Sequence, residues 1–274
     1  MAAVERQRAN GIAYREALPL EPSGLDPVLC LHGFPESSYT WRHLLPAVAA
    51  TGRRGVAPDL PGYGDSPPDP PGTWERHVET CERFRTAVGL DHVIVVVHDW
   101  GGLIGLRWAC DHADAVVGLV ISNTGFFPDG EWHELGQALR TEGQGEALID
   151  SVSRDGLAAL LSNLAHGVDD PVIDEYWKSF ETEVGRRGML ELFRSGDWEK
   201  LEPYEGKLAA LDVPTLVLWG ENEEYTPSAG AERFGREIPH ADVVMIENAG
   251  HFLWDDQPEA CNREVVEFLR RVGS

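Results

Sequence analysis

Two rhythms of hydrophobic and polar positions run along the chain. In the first, short apolar runs alternate with longer stretches whose apolar residues recur at helical spacing. Asn10-Gly11 supplies the two positive-φ residues that a tight hairpin wants, and residues 12–15 follow as a strand. Residues 28–31 form an apolar run ending at His32-Gly33, and residues 41–49 carry helical spacing. Residues 55–57 read as a brief strand closed by Pro58-Asp59, and residues 74–88 as a helix. Residues 93–97 are five consecutive β-branched residues, which implies a strand buried on both faces. A helix over 101–109 and a strand over 116–121 complete this half.

The second rhythm starts after Asn123. From about residue 125 to 205 no strong strand appears, and helical stripes recur instead, such as Leu157, Leu160, Leu161 and Leu164. The first rhythm then resumes, with strands over 215–219 and 243–246 and helices over 229–238 and 259–271. This order predicts an α/β fold, a parallel sheet with helices on both faces, interrupted by a helical lid. The expected division is a core of residues 1–124 and 206–274 and a lid of residues 125–205. Residues 67–71 are the only Pro-rich stretch and read as a surface loop.

Composition narrows the class. A length of 274 residues suits one large α/β domain with an insertion, and 42% hydrophobic residues argue against disorder. The start, MAAVERQRAN, does not read as a signal peptide, and no apolar run approaches the roughly 18 residues of a membrane span. Cys30, Cys81, Cys110 and Cys261 show no CxxC spacing and read as free thiols, which points to a reducing, cytoplasmic location. The net charge is −23, with Lys178, Lys200 and Lys207 as the only lysines. Such a surface repels nucleic acid and anionic membranes, so neither is an expected partner. The plain reading is a soluble acidic enzyme; adaptation to high salt also produces acidic surfaces of this kind, while the scarcity of Lys also follows from a GC-rich genome, which replaces it with Arg.

The chemistry concentrates in three places. In VVVHDWGG, residues 95–102, a buried strand runs into Asp99, and Gly101 and Gly102 then open a helix. Strand, sharp turn and helix are the context of a nucleophile elbow, with Asp in place of the usual Ser. An aspartate is already ionised, so it attacks without a base and can form an alkyl ester at an sp³ carbon. The plainer reading of Asp99 is a helix N-cap. In LHGFP, residues 31–35, the chain turns sharply, and the Phe34 N–H can serve an oxyanion together with the Trp100 N–H. In NAGHF, residues 248–252, His251 follows the last strand, downstream of the nucleophile as in the nucleophile–acid–His order. The acid that orients His251 must lie after the strand preceding or following the lid. The first ends in Ser122-Asn123-Thr124, with no carboxylate; the second runs into LWGENEEYTP, where Glu221, Glu223 and Glu224 are available. Glu223 has the spacing from Gly220 at which an aspartate is usual in this architecture.

The segments HGFPESSYTWR, APDLPGYGDS, HDWGGLIGLRWA and AGHFLWDDQPE together resemble the haloalkane dehalogenase and epoxide hydrolase branch of the α/β-hydrolase superfamily. The resemblance covers the chain outside the lid. It implies a mostly parallel eight-stranded sheet with an inserted helical cap, no cofactor and no metal. It also implies that Asp99 attacks carbon and that His251 then activates a water to hydrolyse the ester. The substrate is then a small apolar organic molecule, with water as the second reactant.

The two activities of the branch differ in what meets the leaving atom. A dehalogenase of this branch offers the departing halide the indole N–H of the Trp after the nucleophile, which Trp100 fits. The second donor is usually an Asn at the Phe34 position or a lid Trp, here Trp132, Trp177 or Trp198. Epoxide hydrolases of the branch protonate the opening ring with two lid tyrosines. The lid has Tyr176 and Tyr204, with Phe193 where a ring-opening Tyr is expected and Tyr176 reading as packing. The expectation is therefore carbon–halogen bond hydrolysis, with epoxide hydrolysis as the alternative and a non-catalytic protein on the same fold as a further one.

Overall fold

The computed structural model describes residues 2–21 and 23–272. Eight strands form one sheet: β1 (Val4–Ala9), β2 (Ile12–Ala17), β3 (Val28–Leu31), β4 (Gly55–Pro58), β5 (Val93–His98), β6 (Val116–Ser122), β7 (Thr215–Gly220) and β8 (Asp242–Ile246). Their spatial order is β1-β2-β4-β3-β5-β6-β7-β8. The N-terminal hairpin runs antiparallel, as does β2 against β4, and every other pairing is parallel. Asn10 (φ 50°) and Gly11 (φ 82°) turn the hairpin. Its outer strand β1 is exposed and carries Glu5, Arg6 and Arg8, charges that suit a sheet edge.

β5 sits inside the sheet, and its β-branched run serves two cores. Val93, Val95 and Val97 point into one, Ile94 and Val96 into the other. This is the period-two alternation of a strand covered on both faces. Helices α1 (Leu44–Ala50), α2 (Trp74–Ala87) and α3 (Trp100–Asp111) precede β6. α1 covers the Ile94 face, and α2 and α3 the Val95 face. The helix expected over 41–49 is two elements, a 3-10 turn at Ser38–Arg42 and then α1. The break places Pro46 in the first turn of α1, where its missing N–H goes unneeded.

Between β6 and β7 the chain is helical, with α4 (Glu134–Arg140), α5 (Gln144–Ser151), α6 (Arg154–Leu164), α7 (Asp170–Trp177), α8 (Glu183–Ser195) and a short α9 (Lys207–Ala210). His133, Ser153, Asp169 and Thr182 cap α4, α6, α7 and α8, each accepting from the backbone N–H three residues on. The buried faces of these helices, among them Leu139, Ile149, Leu161 and Phe193, join the core on the Val95 face. α7 is tied down by charge: Glu175 meets Arg6 at 2.5 Å and Arg15 at 2.9 Å, and Lys178 meets Asp65 at 2.8 Å. After β7 come α10 (Ala229–Glu237), α11 (Leu253–Asp256) and α12 (Pro258–Arg271). Cys30, Cys81 and Cys261 are buried, and all four thiols are free. Among the described residues no helix is long and apolar enough to cross a membrane.

Candidate active site

The turn between β5 and α3 holds Asp99 at φ 48°, ψ −123°. A positive φ is costly for a residue with a Cβ, so the surroundings must enforce it. They do so by close approach. A Cβ on Gly33 would fall 2.3 Å from the Asp99 Cβ, one on Gly101 2.1 Å from the Leu31 carbonyl oxygen, and one on Gly102 2.1 Å from the Thr124 hydroxyl. Thr124 donates to the Asp99 carbonyl at 2.7 Å, and the Asp99 N–H donates to the Asn123 carbonyl at 3.2 Å. The Asp99 side chain makes no cap bond to α3. Its Oδ1 accepts the Phe34 N–H at 2.7 Å instead, and its Oδ2 lies 3.5 Å from His251 Nε2. The carboxylate has therefore turned from the helix toward the cavity.

The Phe34 N–H is aimed by its own loop. The Gly33 N–H donates to Glu36 Oε2 at 2.9 Å, and the Phe34–Pro35 peptide is cis. The Trp100 N–H, expected as the second oxyanion donor, makes no bond to the Asp99 carboxylate among the described residues. It belongs to the first residue of α3, adjacent in the chain.

His251 lies between two carboxylates. Its Nδ1–H donates to Glu223 Oε2 at 2.8 Å, while Glu223 Oε1 accepts the N–H groups of Tyr225 (2.6 Å) and Thr226 (3.0 Å). Glu221 and Glu224 are exposed. Side-chain exposure is 18% for Asp99, 6% for His251 and 1% for Glu223, so the first can be reached from the cavity and the last cannot. Burial pushes the Asp99 carboxyl up, but the charge of His251 and the Phe34 N–H outweigh it and hold it at about 2. Burial works against a charged His251, yet Glu223 and Asp99 raise it well above its ordinary value. Burial likewise opposes the Glu223 charge, and His251 with the two backbone donors keeps that group low. His98, ring to ring with His251 at 5.0 Å, is held neutral by burial, at about 3.

Sequence reasoning missed Asn123, which follows β6 at φ 37°. Its Nδ2 donates to the Gly250 and His251 carbonyls at 2.9 and 3.0 Å, and its Oδ1 accepts the Gly220 N–H at 3.0 Å. One amide thus joins the end of β6, the end of β7 and the histidine loop. The only signal was the absence of a carboxylate at that strand end.

Two cavities meet at Asp99. One, of about 350 Å³, is walled by Trp100, Trp132, Trp198, Trp219 and Phe127. The other, of about 120 Å³, is apolar, with Leu139, Ile149, Leu161, Phe193 and Phe252 in its wall. The Trp100 indole is buried beside the nucleophile, and nothing among the described residues accepts its N–H. Trp132 stacks on it at 5.5 Å, and Trp198 packs on Trp132 at 5.0 Å. Of the three lid tryptophans singled out, Trp177 lines neither cavity and stacks on Phe180 at 5.6 Å. Neither lid tyrosine lines a cavity at Asp99. Tyr176 is buried and donates to Asp255 at 2.8 Å, and Tyr204 donates to Asp111 at 3.0 Å. Tyr225 and His133, singled out by no sequence motif, line both cavities.

Comparison with known proteins agrees with this architecture. The family described as alpha/beta hydrolase fold matches residues 26–258. A haloalkane dehalogenase of Psychrobacter cryohalolentis is 30% identical over 264 residues, covering 90% of this chain and 84% of that protein. Epoxide hydrolase 3 of Siraitia grosvenorii is 28% identical over 295 residues, covering 89% of this chain and 92% of that protein. The crystal structure of a haloalkane dehalogenase from Bradyrhizobium elkani superposes with a TM-score of 0.81 at 26% identity, covering 98% of each chain. The chain belongs to the α/β-hydrolase family, in the branch that holds the haloalkane dehalogenases and epoxide hydrolases.

Proposed function

We propose that this enzyme hydrolyses the carbon–halogen bond of small haloalkanes, with Asp99 as nucleophile, His251 as base and Glu223 as the acid that orients it. The observation that carries the reading is the Asp99 carboxylate. It is held ionised, turned from its helix toward the cavity, and has the unpartnered Trp100 indole as its chain neighbour. Oδ2 attacks the halogen-bearing carbon, the carbon–halogen bond breaks, and the halide leaves with the bonding pair. The Trp100 N–H meets the charge that grows on the halogen, with Trp132 as the lid tryptophan stacked beside it.

Alkylation also switches the base on. It turns Asp99 into a neutral ester and removes one of the two charges that keep a proton on His251. The imidazolium then releases its proton to solvent. The neutral ring, oriented by Glu223, takes a proton from water, and the hydroxide attacks the ester carbonyl. The resulting oxyanion is placed for the Phe34 N–H and, in this reading, the Trp100 N–H. Collapse expels the alkoxide, which takes the proton of the added hydroxyl and leaves as the alcohol. Asp99 returns ionised beside a protonated His251. The net change is haloalkane plus water to alcohol, halide and one proton. The lid is taken as residues 125–205 on a core of 1–124 and 206–274, and the free thiols suit a reducing, cytoplasmic setting.

Epoxide hydrolysis is the second reading. It draws on the epoxide hydrolases among the relatives and on the Tyr225 phenol in the cavity wall. Against it stand Tyr176 and Tyr204, both engaged elsewhere. Released halide and diol, measured on matched terminal bromoalkanes and epoxides, separate the two. Halide release is expected to exceed diol formation. Repeated turnover in heavy-oxygen water is expected to label the Asp99 carboxylate, and Asp99→Ala to be inactive yet folded. An active Asp99→Ala protein ends the mechanism; diol formation without halide reverses the ranking.

A further inference from the structure

Asp99, His133 and Tyr225 are the three residues that line both cavities, so the boundary between the two is formed by the nucleophile and these two rings. The His133 and Tyr225 rings meet edge to face at 5.1 Å, and Tyr225 meets His251 in the same way at 5.0 Å. His133 is the cap of α4, and its Nδ1 accepts the Gly136 N–H at 3.2 Å. A ring nitrogen that accepts carries no hydrogen, so the proton of the neutral ring is on Nε2. Burial keeps that ring neutral. Neither His133 Nε2 nor the Tyr225 hydroxyl has a hydrogen-bond partner among the described residues. Burial raises the Tyr225 phenol, so it keeps its proton. Two neutral donors therefore belong to residues that share both cavity walls with the nucleophile, beside the largely apolar lining of the smaller cavity.

We propose that His133 and Tyr225 are specificity-determining residues that hold a hydrogen-bond-accepting oxygen of the substrate close to the reacting carbon, so that the preferred substrates are halo-ethers and halo-alcohols rather than plain haloalkanes. The inference deepens the dehalogenase reading and rests on it. A plain alkyl chain at this boundary takes water from both donors and returns nothing, whereas an ether or hydroxyl oxygen accepts from them. A site built to donate a hydrogen bond discriminates against an analogue that lacks the acceptor far more sharply than an apolar pocket discriminates between alkyl chains.

The test uses two isosteric pairs. Halide release is followed for n-hexyl bromide and propoxyethyl bromide, and diol formation for pentyloxirane and propyl glycidyl ether, with KM and kcat separated. The ether bromide is expected to exceed the alkyl bromide about tenfold or more in kcat/KM, mostly through KM. That ratio is expected to fall toward one in Tyr225→Phe and in His133→Phe, each of which keeps a ring and removes a donor. A ratio near one in the wild type, or an unchanged ratio in both variants, overturns the proposal. An equal loss on both bromides also overturns it, since it places the pair on the leaving atom. If the bromides are inert while the oxiranes yield diol, the dehalogenase reading fails and the donor pair is judged on the glycidyl ether ratio. A protein inert to all four refutes both.

Discussion

The two walls of the active-site cavity are built on different principles. On the core side, each reacting group is fixed by backbone and neighbouring polar atoms. Asp99 is pinned by the close approach of Gly33, by the Thr124 hydroxyl on its carbonyl and by the Phe34 N–H. His251 is held by Glu223, which is itself held by two backbone donors. The lid side is held more loosely at the cavity. Leu139, Ile149 and Leu161 are placed by packing, Arg140 donates to the Phe193 carbonyl at 2.6 Å and lies over the Trp132 ring at 4.9 Å, and the lid's charged ties, such as Glu175 with Arg6 and Arg15, lie outside both cavities. The division separates reaction from recognition. A nucleophile misplaced by an ångström loses rate steeply, whereas a packed wall can change its side chains and still enclose a substrate.

The largest expected effect breaks the core wall at its base. His251→Phe leaves Asp99 able to attack, because the carboxylate needs no proton removed, but no group then activates the water. Turnover should fall by roughly 10²–10⁴, the span general base catalysis commonly supplies. The ester should accumulate, seen by mass spectrometry as substrate-derived mass on the peptide carrying Asp99. A variant that turns over slowly with no adduct would assign the base elsewhere. Low pH offers a milder version in the intact enzyme. Asp99 at about 2 stays ionised as pH falls, while a protonated His251 cannot accept from water, so ester should build up in acid.

The same division explains what the sequence shows. The five β-branched residues of β5 and the Gly101-Gly102 pair are local signals, and both the elbow and the two-faced strand follow from them. Phe34 and His251 are legible because each sits at a fixed offset from a strand end. Tyr225 is two residues beyond Glu223 in the same loop, yet nothing local marks it as a wall of the cavity. That role depends on how α4 carries His133 across the core. Tyr176 and Tyr204 mislead in the opposite way, since a tyrosine in a lid reads the same whether it faces a substrate or, as here, Asp255 and Asp111. The 3-10 turn ahead of α1 was hidden because Trp41, Leu44, Leu45 and Val48 keep helical spacing across the break.

A smaller effect sharpens the core wall from one shell further out. Glu223→Gln keeps the shape but removes the charge that stabilises the imidazolium, and because the Tyr225 and Thr226 N–H groups hold its carbonyl oxygen, its NH2 faces His251 Nδ1. The steady-state rate should fall by about 10²–10³, less than the roughly 10⁴ such a change costs where the histidine must also deprotonate the nucleophile, which Asp99 does not require. Glu221→Gln and Glu224→Gln, on exposed side chains, should stay within about twofold, since surface charges act weakly through solvent. Kinetics of the three variants in parallel check this, and a Glu224→Gln loss exceeding that of Glu223→Gln would contradict the observed pairing.

The smallest effect concerns a place where the core wall is incompletely satisfied. Behind the elbow, Glu36 Oε1 and both ring nitrogens of His98 are buried without hydrogen-bond partners, and Glu36 Oε1 lies 3.7 Å from His98 Nε2. Burial, with Asp255 nearby, pushes the Glu36 carboxyl up to about 8. Folded, it is protonated at neutral pH; unfolded, it ionises near its ordinary 4.5. The contribution to stability is therefore complete below pH 4.5 and is lost progressively as pH rises toward 8. Glu36→Gln keeps an acceptor for the Gly33 N–H and does not titrate. Its melting temperature should match or trail that of the wild type at pH 5 and exceed it by a few degrees at pH 9, given about 2–4 °C per kcal/mol for a chain of this size class. Calorimetric scans between those limits read the crossing. Parallel curves would mean that Glu36 is ionised in the fold, stabilised there by a partner such as a protonated His98, and the wall behind the nucleophile would then carry a buried ion pair in place of a neutral gap.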